Sequence, residues 1–253
     1  MSQENPFGPR KINMQELFLN SLGSFIAGII GSLIIIIIML IFGNTFNISG
    51  KIIDENLGTT TNNMFPFVLS IIGLIGTSTT MFLNYIFLRL TSPERYKKNT
   101  IITGQIAFFI VLSYIFITPL YIFAGNMSYG NIMIVFLGHT LINIFGTSII
   151  IEVLNNYRYI LTGLYGSFIG LFISIILTVM IFFYLSTGYA KLISLLFLLP
   201  LISTTTTFFK QLFELMYYKY NHFSNLDQLG DIFYQIEIQE KQDFQEAIEK
   251  DTI

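Results

Sequence analysis

The chain has 253 residues, of which 53% are hydrophobic and 11% charged, and its formal net charge is −2. Soluble domains carry about 25% charged residues, whereas here the charges lie in short stretches between long apolar runs, which is the pattern of a polytopic membrane protein. The slightly acidic balance argues against a nucleic acid partner, and the absence of cysteine excludes disulfides, thiolate metal sites and cysteine nucleophiles.

Six apolar segments are long enough to cross a bilayer, because a spanning helix needs about 20 mostly apolar residues. In chain order they are Leu19–Phe42, Met64–Leu88, Ile101–Phe123, Asn131–Ile151, Ile160–Leu185 and Leu192–Phe213. The predicted fold is therefore all-α, a polytopic membrane protein with six transmembrane helices. Residues 1–18 form the N-terminal segment, 19–218 the transmembrane domain and 219–253 a C-terminal tail.

Lysine and arginine residues predict how these helices are oriented, since they concentrate in cytoplasmic loops. With six spans the two termini share one side, which holds eleven of the thirteen cations, and the other side holds Lys51 and Lys191. Both termini are therefore predicted to be cytoplasmic. The strongest anchor is the loop Arg89–Lys98 between the second and third helices. The predicted location is integral to the membrane, as in a bacterial cytoplasmic membrane.

This orientation is testable with single cysteines, because the chain has none of its own. A cysteine at Lys98 is expected to react with a membrane-impermeant thiol reagent only from the cytoplasmic side. A cysteine at Asp54, in the first outer loop, is expected to react only from outside. The reverse pattern of labelling would overturn the orientation.

Two stretches of the sequence resemble each other. "LIGTSTTMFLNYIF" (Leu74–Phe87) aligns without gaps with "LISTTTTFFKQLFE" (Leu201–Glu214). The helices before them also match, from Gly23 and from Gly166, and "IFGTSIIIEVLNNY" offers a fainter third copy. Parallel repeats of this kind occur in transporters. The resemblance is interpreted either as a helical hairpin that is repeated in one orientation, with a transport or a structural role, or as a coincidence among sequences rich in Ile, Leu, Phe, Ser and Thr.

Polar side chains share faces of the second, fourth and sixth helices. The candidates for a polar intramembrane face are Thr77, Thr80, Asn84, His139, Asn143, Ser203 and Thr207. A titratable group near the midplane is a functional-site hypothesis by default, but His139 is equally explained as a neutral residue that hydrogen-bonds a neighbour. Threonine hydroxyls can bond the carbonyl three or four residues earlier, so they need no solute. The face is therefore either helix–helix contact or the lining of a polar path.

Small residues recur at every fourth position on the first and fifth helices. On the first helix they are Ser24, Gly28 and Ser32, with Gly31 beside them, and on the fifth they include Gly166 and Gly170. Such residues let two helix backbones approach closely, which drives association in lipid. The sequence predicts that both helices pack through these faces.

The C-terminal tail differs from the rest of the chain, because eight acidic residues and two lysines follow Tyr220. Its rough apolar periodicity predicts an amphipathic helix, and the alternation in "FYQIEI" leaves a short strand as the alternative. An anionic leaflet repels such a segment, so we expect it to contact protein, either the Arg89–Lys98 loop or another membrane or cytosolic protein.

No catalytic motif, metal site or cofactor site is predicted, and we do not expect an enzyme. The lipid bilayer is the one partner that the sequence requires. The function predicted first is a scaffold or assembly subunit of a membrane complex. The alternative is a small transporter or channel for a neutral or lipid-like solute.

Overall fold

A computed structural model describes residues 12–46, 65–93, 95–96, 99–127, 129–155, 160–184 and 189–220, together with residues 235, 238, 239 and 242. The first outer loop and nearly all of the acidic tail lie outside these residues, and so do Lys97, Lys98 and Arg158. The expectations for the tail therefore stay predictions.

Six α-helices make up the described chain. They are α1 (Met14–Phe46), α2 (Phe65–Thr91), α3 (Thr100–Met127), α4 (Tyr129–Asn155), α5 (Ile160–Tyr184) and α6 (Tyr189–Tyr220). The first begins at Met14, within the predicted N-terminal segment, because Asn13 caps it. Asn13 Oδ1 accepts from the Glu16 N–H at 2.7 Å, and Glu16 Oε2 accepts from the Asn13 N–H at 3.1 Å.

The all-α polytopic membrane class is confirmed. Five helices are long and apolar enough to cross a membrane, in Met14–Ile41, Pro66–Thr91, Thr100–Ala124, Asn131–Asn155 and Leu164–Ile181. These correspond to the first five predicted spans. The sixth predicted span is helical as α6, but it is not among the five, and its crossing stays a prediction. We call the ends of the helices near Arg89 and Lys219 the cytoplasmic end, as the sequence predicts.

Three of the helices form the inside of the bundle. α2, α4 and α6 contact one another, and each also packs along the outer helix that precedes it, α1, α3 or α5. The outer helix α1 also packs along α6, so it lies between α2 and α6. The outer helices carry large exposed apolar side chains, such as Leu40, Phe116 and Phe172. In a bilayer these side chains face lipid.

Glycines mark the closest approaches between helices. An added Cβ at Gly28 would lie 2.5 Å from Pro200 N and 2.8 Å from the Leu199 carbonyl carbon, both in the backbone of α6. Added Cβ atoms at Gly166 and Gly170 would lie 2.7 Å and 2.9 Å from carbonyl oxygens of the same helix. Real Cβ atoms do not come this close, so the packing of α1 and of α5 against α6 depends on these glycines.

Small residues at matching positions of α1 and α5 contact the second helix of their own hairpin, but not at matching residues of that second helix. Gly23 and Gly166, which begin the matching stretches, each lie against the second helix of their own hairpin, at Phe87 and Lys210. Gly31 and its counterpart Ser174 also contact threonines of that second helix. Phe87 aligns with Glu214 and not with Lys210, so the repeated hairpin stays a prediction.

Candidate functional site

Four charged side chains are buried together at the cytoplasmic end. Arg95, from the connection between α2 and α3, reaches both α4 and α6. Its Nη1 and Nη2 lie 2.6 Å from the two carboxylate oxygens of Glu214, and Nη2 lies 3.0 Å from Glu152 Oε2. A bidentate contact of this kind is among the stronger hydrogen-bonded pairs in proteins. We call Arg95, Glu152, Lys210 and Glu214 the ion cluster.

Lys210 completes the ion cluster from α6. Its Nζ lies 2.8 Å from Glu152 Oε1 and 3.3 Å from Ser148 Oγ, and its side chain is only 2% exposed. The Tyr96 hydroxyl donates to Glu152 Oε1 at 2.6 Å. Glu152 is thus bonded by two cations and a phenol. The two positive and two negative charges balance, which offsets the cost of burying them.

The surroundings keep the two loop residues in one protonation state. Burial lowers the pKa of Arg95, but the Glu214 and Glu152 carboxylates outweigh it and hold that pKa well above its ordinary value. Burial and the nearby Glu152 carboxylate raise the pKa of Tyr96 well above its ordinary value. Arg95 therefore stays charged, and the Tyr96 hydroxyl keeps the proton that it donates.

The members of the ion cluster are buried, although the sequence places Arg95 in the Arg89–Lys98 loop that is the strongest anchor of the predicted orientation. All four are less than a tenth exposed. The reason is mutual neutralisation, since each charge finds an opposite charge on another helix or on the loop.

Near the middle of the bundle, Asn143 of α4 joins α2 and α3. Its Nδ2 donates to Thr77 Oγ1 at 3.0 Å, and its Oδ1 accepts from the Ser113 hydroxyl. Thr77 in turn donates to the Gly73 carbonyl at 2.7 Å, four residues earlier. These bonds hold three helices together without a solute.

His139 lies on the same side of α4, farther from the cytoplasmic end. Its Nδ1 is 3.1 Å from the Tyr121 hydroxyl, and its ring meets the ring of Tyr114 at 6.3 Å between centroids. Asn143, one turn along α4 from His139, bonds Thr77 and Ser113. His139 is 1% exposed, and its Nε2 has no hydrogen-bond partner among the described residues.

A second group of polar side chains lies between α1, α2 and α6. Ser24 Oγ is 2.6 Å from Asn84 Oδ1 and 2.8 Å from Thr207 Oγ1. Nearer the cytoplasmic end, Asn20 Nδ2 donates to Ser92 Oγ at 3.2 Å and to Gln211 Oε1 at 3.3 Å. Because α1 lies between the two inner helices, its polar residues bond both.

The seven predicted face residues do not form one surface. Thr77, His139 and Asn143 lie between α2, α3 and α4, in what we call the α4 seam. Asn84 and Thr207 lie between α1, α2 and α6, in what we call the α1 seam. Thr80 faces Gly31 of α1 and donates to the Gly76 carbonyl at 2.8 Å. Ser203 is buried, and no described residue bonds its hydroxyl.

Sequence reasoning found only part of the polar residues on α4. They continue toward the cytoplasmic end as a buried row, His139, Asn143, Thr147, Ser148 and Glu152. At about 1.5 Å per residue the row is ~20 Å long. The signal was present, because most of these residues recur at intervals of four, the spacing of one helix face. We call this row the polar stripe.

The chemistry of these side chains is hydrogen bonding and charge pairing. Within the described residues, no group of three or more histidine, aspartate or glutamate side chains could hold a metal ion. The hydroxyls of Thr204 and Thr205 donate to carbonyls four residues earlier, at 2.6 and 2.7 Å. The threonine-rich part of α6 is thus satisfied largely within its own helix and against α5.

We expect Ser24→Ala to lower the free energy of unfolding by about 1 kcal/mol, because it removes the hydroxyl that joins α1 to both α2 and α6. Equilibrium unfolding in mixed micelles measures the change. Ser78→Ala is the matched control, because its hydroxyl bonds only the Leu74 carbonyl of its own helix, at 2.6 Å. An equal effect of both changes would contradict the assignment of Ser24 to an interhelical contact.

Comparison with known proteins adds no family to this description, since no protein-family model, no curated protein and no solved structure matches the chain.

Proposed function

We propose that the protein is a non-catalytic scaffold or assembly subunit of a membrane complex. The observation that carries this proposal is that the interior polar side chains bond one another across helices, in two separate seams. Asn143 uses its amide on Thr77 and Ser113, and Ser24 meets Asn84 and Thr207. A bundle whose polar groups are used in this way is suited to hold its own helices, and its partners, in fixed positions.

Photo-crosslinking in native membranes tests the proposal. A photoreactive residue is placed at Leu40, Phe116 or Phe172, which are 74%, 70% and 63% exposed on α1, α3 and α5. A scaffold is expected to give a protein adduct of one mass from at least one of these helices. The matched control is Ile106 of α3, which is fully buried and should give none. Lipid adducts alone at all three positions would overturn the proposal.

The second candidate is a transporter or channel for a neutral solute. It is favoured by the Nε2 of His139 and the hydroxyl of Ser203, which find no hydrogen-bond partner in the part of the chain that the structure describes, since buried polar groups are rarely left unbonded. If a hydrated path reaches them, Ser203→Cys in the cysteine-free chain should react with a small membrane-permeant thiol reagent. A thiol that stays unreacted until the protein is unfolded would remove this candidate.

A further inference from the structure

The ion cluster depends on a residue that no helix carries. Arg95 lies on the connection between α2 and α3, where its own N–H and that of Tyr96 donate to the Ser92 carbonyl at 3.1 and 3.0 Å. The N–H of Ser92 donates to Leu88 at 2.9 Å and so continues the end of α2. Ser92, Arg95 and Tyr96 are thus joined to the end of α2 by backbone hydrogen bonds, while the Arg95 side chain itself belongs to no helix.

The partners of Arg95 come from two other hairpins. Glu152 belongs to the α3–α4 hairpin, and Glu214 belongs to the α5–α6 hairpin. Through Ser92 the turn also stays attached to α2, the second helix of the first hairpin. One guanidinium therefore ties all three hairpins together at the cytoplasmic end.

We propose that Arg95 is a releasable latch, and that its withdrawal from Glu152 and Glu214 opens the cytoplasmic end of the polar stripe to water. This inference goes beyond the proposed function and does not depend on it. It rests on the position of Arg95 in a turn, on its partners in separate hairpins and on the polar residues that lie behind it.

Charge balance makes release feasible. When Arg95 leaves, Lys210 still neutralises Glu152 at 2.8 Å, so Glu214 is the one carboxylate that loses its partner. Glu214 is 4% exposed while it is paired, and it lies within two turns of the end of α6 at Tyr220, so water that enters after the withdrawal has a short way to reach it. The Nε of Arg95 has no acceptor among the described residues, so release sacrifices fewer hydrogen bonds than a fully bonded guanidinium would. Exposed in solvent, the same guanidinium regains hydration.

The polar stripe begins directly behind the latch. Ser148 is 5% exposed and bonded to Lys210, and Thr147 next to it is fully buried. Beyond them lies Asn143 in the α4 seam. Release of Arg95 and Tyr96 together removes the two loop side chains that contact Glu152, so water would reach Ser148 first.

Cysteine accessibility in the intact chain tests the latch. Ser148→Cys places one thiol behind the ion cluster, and a membrane-impermeant maleimide is applied from the cytoplasmic side. We expect slow labelling with Arg95 present and labelling at least about tenfold faster with Arg95→Gln, since loss of a bidentate charged pair shifts the closed–open equilibrium by that much or more. Gln15→Cys, exposed at the start of α1, gives the rate for an open thiol.

Arg89→Gln is the matched control, because Arg89 is a cation at the same end of α2 that stacks on the ring of Tyr85, 5.7 Å from its centroid. It should leave the labelling of Ser148→Cys unchanged. If Arg95→Gln does not accumulate in the membrane, Glu214→Gln breaks the same pair with little change in size and should give the same acceleration. Equal labelling rates in the unmodified, Glu214→Gln and Arg89→Gln backgrounds would overturn the latch. A rate raised equally by Arg89→Gln would overturn it too.

Discussion

Replacing Arg95 with methionine is expected to lower the free energy of unfolding by about 3–5 kcal/mol, because it leaves two carboxylates and one lysine with an uncompensated buried charge. The bidentate contact with Glu214 and the contact with Glu152 are lost together. Equilibrium unfolding in mixed micelles measures the loss. The control is Arg89→Met, which removes a cation stacked on Tyr85 and should cost no more than about 1 kcal/mol.

A combined variant separates the destabilisation caused by an unpaired buried charge from the net contribution of the ion cluster to the free energy of unfolding. If Arg95, Glu152, Lys210 and Glu214 are all replaced by apolar side chains of similar size, we expect much of the stability lost in Arg95→Met to return. A combined variant that is less stable than Arg95→Met would mean that the ion cluster itself stabilises the fold. That result would contradict the account of Arg95→Met as a buried-charge effect.

Gly28→Ala is expected to destabilise the bundle by about 3 kcal/mol, the upper part of the range for overpacking. The added methyl group would meet the backbone of α6 at Pro200 and Leu199, which cannot rotate away as a side chain can. α1 would therefore have to move away from α6, which would also weaken the contact between Ser24 and Thr207. Unfolding in mixed micelles, compared with that of the unmodified chain, gives the difference.

Gly104→Ala is the matched control for this change. Gly104 also lies within a helix of the bundle, but an added Cβ there would have open space within 4 Å. Because alanine favours helix over glycine, the change should be neutral or stabilise by up to about 1 kcal/mol. If Gly28→Ala and Gly104→Ala changed the free energy of unfolding equally, the close approach of α1 to α6 at Gly28 would be contradicted.

The helices themselves could be predicted from the sequence, because hydrophobic length is a local property. The apolar run Ile101–Phe123, for example, lies within α3 and falls short of its ends by one residue and by four. The close approach at Gly28 was also visible in part, since small residues every fourth position mark a packing face. The residue that Gly28 contacts, Pro200 of α6, could not be predicted, because sequence periodicity identifies the face that packs but not the helix against which it packs.

The ion cluster could not be predicted, for a physical reason. Arg95 lies 57 residues from Glu152 and 119 residues from Glu214, so no local spacing relates them. Counting cations for orientation treats every lysine and arginine as exposed to water, which fails when opposite charges meet inside the bundle. The split of the polar face into two seams has the same origin. Thr77 and Asn84 lie two turns apart on α2, yet they face different neighbouring helices.

Opening of the latch and transport of a solute require different extents of hydration along the polar stripe. Release of Arg95 hydrates only the cytoplasmic end of the polar stripe, whereas a transporter needs continuous hydration past Asn143 to His139. In the described structure Asn143 bonds Thr77 and Ser113, and hydration past it would have to break or bypass those bonds. A scaffold can therefore have an opening cytoplasmic end and still be impermeable.

Solute flux through vesicles that contain the purified chain tests most directly whether the polar interior joins helices or conducts. Glycerol, a small neutral molecule that bonds hydroxyls and amides, is a suitable probe for an interior of this chemistry. We expect its flux to equal that of protein-free vesicles, with the unmodified chain and with Asn143→Leu alike. A flux well above that of empty vesicles, which falls to their level when Asn143 is replaced by leucine, would contradict the account.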